Sequence, residues 1–230
     1  MVIRLGSLQM LALLFEVTPK RDGYQRYLDI AAALRPALEA HDGFLFIDRY
    51  RNLLNPDIIL SHSLWRDEAS LAAWRTFEQH HHAQVAGREH VFADYRLRIA
   101  DVVLARTPDA GDWKPSRPSS YNEPGARTPR YVVIVASRGG PTGGKASDQF
   151  ESLNRPREFL SLYDAASLEA AGMLLESLAN RKPGAASAET ISVRVCEVER
   201  DYGMFERREA PQYYRPVARR NGASRVRGRP

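Results

Sequence analysis

The 230-residue sequence predicts an α+β chain of two βαββαβ units in tandem, each with an antiparallel sheet. Three observations carry this. The first hundred residues alternate apolar strand-like runs with two stretches of helical periodicity, in the ferredoxin-like order β-α-β-β-α-β. RTPDAGDWKPSRPSSYNEPGARTPR, residues 106–130, is rich in Pro, Gly and Ser and has no apolar periodicity, which marks a linker. Beyond it the sequence repeats itself. DEASLAA at 67–73 matches DAASLEA at 164–170 in five of seven positions, and RIADV at 98–102 aligns with RVCEV at 194–198. The two offsets, 97 and 96, fall nearly in one register, the signature of an internal duplication. The expected units are therefore 8–105, a linker 106–129, a reduced second copy 130–214 and a basic tail 215–230.

In the first unit MLALLFEV is an apolar strand. YQRYLDIAAALRPALEA brings Tyr24, Tyr27, Leu28, Ala31, Leu34 and Leu38 round at helical spacing, with a kink or early stop expected at Pro36. GFLFIDRYR and PDIILSHSLW are strands joined through the turn chemistry of Asn55-Pro56-Asp57. Asp67 caps a helix running through EASLAAWRTFEQHHHAQ, and VFADYRLRIADVVLA alternates as the last strand. The second copy offers strands RYVVIVAS, EFLSLYD and ETISVRVCEVERDYGMF, a helix SLEAAGMLLESLA and a poor helix candidate at SDQFESLN. One of the two middle strands therefore looks missing.

Hydrophobic content of 43% supports a proper core, and no run of about 18 apolar residues spans a membrane. MLALLF is shorter than a signal-peptide core and runs into Glu16. The single cysteine, Cys196, excludes an intramolecular disulfide and suits the cytoplasm. The net charge of +5 resides in the last twelve residues, which hold five arginines and no acid. The neutral body gives no reason to expect nucleic acid as a partner, and the tail is expected to be solvated and disordered.

Trp65 at a strand end, Trp74 nine residues later in the helix, and the following EQHHHAQVAGREHVFADYRLRIADV, with its Gly87-Arg88 pair, resemble the antibiotic biosynthesis monooxygenase family of the dimeric α+β barrel superfamily. The resemblance covers roughly residues 9–105. It implies a barrel of two four-stranded sheets, which a tandem chain is expected to build internally as a pseudo-dimer, the alternative being to pair again as a homodimer of tandem chains. It also implies a pocket between sheet and helices. There a phenolic, anthrone or quinol-like molecule is oxidised with O2, without metal, flavin or haem. Haem-degrading members carry an Asn on the first strand, and ALLFEV has none, which argues against haem chemistry.

Such a pocket needs a base with a pKa near neutrality, a donor for developing negative charge and apolar walls. His80, His81 and His82 diverge by about 100° each on a helix, so they do not converge on one metal, and no HxxxH or HExxH pattern occurs. His81 stands seven residues from Trp74 on one stripe and is the expected base, with His80 or His82 beside it; a break within residues 75–78 would change that phase. The bland alternative makes all three solvated helix surface. Trp65 and Trp74 are pocket walls or core filler, and Arg88 is an oxyanion partner or a helix-end arginine. His62 is a second candidate base, or a strand histidine facing solvent. Phe92 and Tyr95 fall on opposite faces of a regular strand, so only one of them should enter the pocket. Arg49 and Tyr50 are open between pocket and surface.

In the second copy RYVVIVASRGGPTGGKAS mimics a phosphate-binding loop, but Ala146 stands where Ser or Thr should reach magnesium and Pro156 ends the segment early. Ala171 replaces Trp74, and no histidine follows His90, so the second copy is expected to be scaffold. The sequence thus predicts one competent pocket in the first unit of a cofactor-independent oxygenase. The rival reading is a binding or assembly protein on the same scaffold.

Overall fold

In the computed structural model, which describes residues 9–107, 111–114, 130–179 and 188–211, the first apolar run forms strand β1 (Leu11–Pro19). Helix α1 (Gly23–Glu39) follows, then β2 (Phe44–Asn52) and β3 (Ile59–Trp65). Pro36 does not end α1. It sits in the last turn, and its carbonyl accepts the Ala40 N–H at 3.1 Å, so the helix runs on to Glu39. Asp67 caps α2 (Glu68–Thr76) by accepting the Ser70 N–H at 2.8 Å, and a second helix, α3 (Glu78–Ala86), continues into a π-helical turn (Gly87–Val91). Strand β4 (Phe92–Thr107) closes the first unit.

The expected linker begins as structure. β5 (Gly111–Trp113) pairs back on the end of β4, and Trp113 is buried in the core; residues 115–129 lie outside the described residues, as does the basic tail. The second unit contributes β6 (Tyr131–Arg138), β7 (Asp148–Ser152), β8 (Glu158–Ala165), α4 (Leu168–Ala179) and β9 (Glu189–Gly203). No middle strand is missing. The supposed helix at SDQFESLN is β7, and the lost element is the long first helix, replaced by the loop between β6 and β7. That loop leads into a strand, so the phosphate-loop look-alike has no helix N-terminus to face a phosphate.

The strands run β1-β3-β2-β7-β8-β6-β9-β4-β5, and β1 also pairs with β4, which closes eight of them into a barrel within one chain. Every pairing is antiparallel. Alternation along each strand sends Leu14, Leu60, Leu64, Ile134, Phe150, Leu160 and Leu162 into the barrel, all of them 0–1% exposed. The other face of the first unit receives α1, α2 and α3. The corresponding face of the second unit is filled by α4, whose Leu175 and Leu178 pack on Val133, Val135 and Val193. Among the described residues no helix is long and apolar enough to cross a membrane.

Candidate active site

Because α1 and the α2–α3 pair stand off the sheet, the outer face of β1–β4 retains a cavity of about 220 Å3. Its floor is the outward set of strand residues, among them Leu13, Phe15, Ile47, Ser63, Leu97 and Ile99. Trp65 and Trp74 form one end. Their rings lie 6.3 Å apart, and Trp65 donates its indole N–H to the Ser63 hydroxyl at 3.0 Å.

The histidine row is settled by a break between the helices. Phe77 takes an extended backbone (φ −60°, ψ 127°), ending α2 and starting α3, and its carbonyl accepts the His81 N–H at 2.8 Å. The change of phase turns His80 inward instead of His81. His80 lines the cavity and stacks on Trp74, with ring centroids 4.6 Å apart and planes 20° apart. Its Nδ1 lies 2.9 Å from the Trp74 carbonyl oxygen. A carbonyl only accepts, so Nδ1 carries the proton and Nε2 keeps the lone pair. Gln84 Nε2, 3.0 Å from the same Nδ1, makes its own donation to the Arg75 carbonyl at 3.0 Å. Burial lowers the His80 imidazole to about 4, with the Trp74 carbonyl opposing and His81 and His41 adding to the shift. At neutral pH it is therefore an uncharged ring with a free base nitrogen.

His81 and His82 are exposed and do not line the cavity, which corrects the expectation that His81 shares the Trp74 stripe. His62 is neither a pocket residue nor solvated. It points into the barrel, 1% exposed, with Nδ1 3.2 Å from the Leu13 carbonyl oxygen, and burial lowers it to about 4. Arg49 enters the cavity while its neighbour Tyr50 faces the barrel core. Phe92 and Tyr95, expected on opposite faces, both line the cavity, 6.3 Å between ring centroids. The pairing of β1 with β4 slips between Thr18 and Pro19, leaving Ala93 as an extra residue, and this bulge puts the two rings on one side.

At the Tyr95 end, Arg88 is buried and donates from Nη1 to the Tyr95 hydroxyl oxygen at 2.8 Å. A second guanidinium reaches the same oxygen at 2.8 Å: Arg207, from the stretch after β9. Sequence reasoning missed Arg207, Tyr202 and Pro211, all cavity residues from the second unit, because no periodicity or repeat places the end of the chain on the first unit. It also passed over Arg75 and Gln84, which the break at Phe77 brings to the cavity wall. Among the described residues no group of three or more His, Cys, Asp or Glu is arranged to hold a metal ion.

The family model described as antibiotic biosynthesis monooxygenase matches residues 10–86, the stretch from β1 through α3. A protein of Pyricularia oryzae named jasmonate monooxygenase ABM is 36% identical over 222 residues, covering 91% of this chain and all of that protein. Among solved structures, a putative monooxygenase from Lactobacillus acidophilus NCFM aligns over 83% of this chain and 93% of its own, at 9% identity and a TM-score of 0.40. One from Fusobacterium nucleatum aligns over 84% and 97%, at 7% identity and a TM-score of 0.40. With a relative of this identity matched along its whole length, the chain belongs to the antibiotic biosynthesis monooxygenase family.

Proposed function

We propose that this monooxygenase oxidises a flat, mostly apolar small molecule of aromatic or quinol type in the cavity of the first unit, with His80 as the base. The observation that carries the reading is the His80 imidazole, held against Trp74 with its proton on Nδ1 and its Nε2 unprotonated, in the wall of an aromatic cavity. A substrate C–H or O–H made acidic by an adjacent ring passes its proton to Nε2, whose basicity, lowered by burial in the free protein, rises as the substrate anion forms beside it, and that anion gives electrons to O2. For a ring methylene the balance is CH2 + O2 → C=O + H2O, so the substrate itself supplies the electrons. Trp65, Trp74 and Phe92 supply flat walls, and their burial excludes water from the carbanion. The second unit closes the barrel and carries no equivalent of Trp74 or of any histidine.

The test is oxygen uptake by chelator-treated protein over anthrones, hydroquinones and jasmonate, the last because the Pyricularia oryzae relative is named for it. Uptake that needs no added cofactor and falls in Trp74→Ala supports the reading. No uptake above the uncatalysed rate on any compound removes it.

A further inference from the structure

Resting on that reading, we propose that the substrate carries a carboxylate, and that Arg88, Tyr95 and Arg207 form the clamp that holds it, one arginine from each unit of the chain. Among the described residues four arginines line the cavity (Arg49, Arg75, Arg88 and Arg207), and no aspartate or glutamate does. An apolar cavity walled by that many cations, with no acid facing the same space, favours an anionic guest. Two of the four also have donors to spare. The buried Nε of Arg49, and the buried Nε and Nη1 of Arg75, find no hydrogen-bond partner among the described residues.

The convergence is sharpest at Tyr95. Arg88 Nη1 and Arg207 Nη1 both donate to its hydroxyl oxygen at 2.8 Å. A phenol oxygen has two lone pairs and one proton. With both lone pairs taken by guanidinium groups, its O–H is left to donate. Two forked cations and one O–H donor meeting at a point match the two oxygens of a carboxylate. The surrounding Phe15, Phe92 and Leu97 disfavour the larger hydration shell of a phosphate dianion.

The strand register sets the length of the molecule. Trp65 pairs with Leu11 and Tyr95 with Val17, so the tryptophan end and the arginine end lie at opposite ends of β1. His80 and Arg88 are eight residues apart along α3 and its π-helical extension, about 12 Å at helical rise. The substrate is an elongated acid anchored at one end and oxidised at the other.

Arg207 is held for this task by a strap. After β9, Met204 N–H donates to the Tyr95 carbonyl at 3.0 Å, Arg207 Nη1 also reaches the Gly203 carbonyl at 3.2 Å, and Pro211 completes the cavity wall. Arg88, Tyr95, Tyr202 and Arg207 all fall beyond residues 10–86, the stretch matched by the family model.

The probes are 1-naphthylacetic acid and its methyl ester, compared by calorimetry on the full chain. The acid is expected to bind at least tenfold more tightly than the ester. Arg207→Gln and Arg88→Gln should each bring the two within about threefold by weakening the acid alone, with Arg207→Lys in between. Ester affinity serves as the internal check that each variant is folded. An ester bound as well as the acid, an acid preference that survives Arg207→Gln, or no binding of either compound at millimolar concentration overturns the clamp. Arginine-dependent acid binding in a protein that consumes no oxygen keeps the clamp and removes the oxygenase reading; uptake that ignores the carboxylate does the reverse.

Discussion

His80 reaches the cavity through one torsion angle. Had Phe77 continued the helix, His81 would share the stripe of Trp74, as the sequence spacing implies; with ψ at 127°, the phase restarts and His80 takes the place. Thr76-Phe77-Glu78 contains no Gly or Pro, so nothing local announces the break, which is held by Phe77 stacking on Trp74 at 5.6 Å. The resemblance fixed the elements of Trp65, Trp74 and Arg88, which line the cavity, but the sequence left each open between a pocket role and core filler or a helix end. The orientation of His62 was not legible, since one strand face looks like another until the helices are placed. Both buried histidines link stability to pH. The folded values of His62 and His80, about 4, lie below the unfolded value of about 6.5. The unfolded chain therefore takes up protons first as pH falls. The stabilisation is complete above 6.5 and is lost as pH drops from 6.5 toward 4, by on the order of 3 kcal/mol for His62. Thermal melts across that window should show a falling Tm, and His62→Leu should flatten the slope by about half; an unchanged slope would contradict the buried, neutral His62.

Among the elements, the strands and helices with strong periodicity were readable and the short or irregular ones were not. β7 offers one large apolar residue, Phe150, in five positions, so its strand character comes from pairing with β2 and β8 rather than from its own pattern. The bulge at Ala93 is likewise invisible to alternation, yet it decides that Phe92 and Tyr95 share a face. The β2–β7 seam pairs only three residues and depends on a buried side chain. Asp48, 1% exposed, accepts from the Ser152 hydroxyl at 2.8 Å and from the Asn154 amide at 2.7 Å across that seam. Asp48→Ala leaves the buried Ser152 hydroxyl without that acceptor and should cost about 1–3 kcal/mol in urea unfolding. A loss below 0.5 kcal/mol would mean the seam holds without it.

For the molecule as a whole, the duplication was legible in two short matches, and the barrel it builds is closed within one chain by the β1–β4, β4–β9 and β2–β7 pairings. The helix lost from the second unit and its missing histidines leave the His80 cavity to the first unit, and the strap that crosses back from the second unit completes its wall. Such a barrel should unfold as one body. Tryptophan fluorescence, weighted to Trp65 and Trp74 in the first unit, and far-ultraviolet circular dichroism should trace the same urea transition; two separated transitions would contradict the shared barrel. The central claim is that a single imidazole in that cavity begins the oxidation. It is tested most directly by turnover of the best panel substrate in His80→Ala and His81→Ala, with and without added imidazole. The account predicts that His80→Ala loses about 100-fold or more in kcat and regains activity with imidazole, while His81→Ala stays within twofold of the parent. Full activity in His80→Ala, or loss in His81→Ala alone, would contradict it.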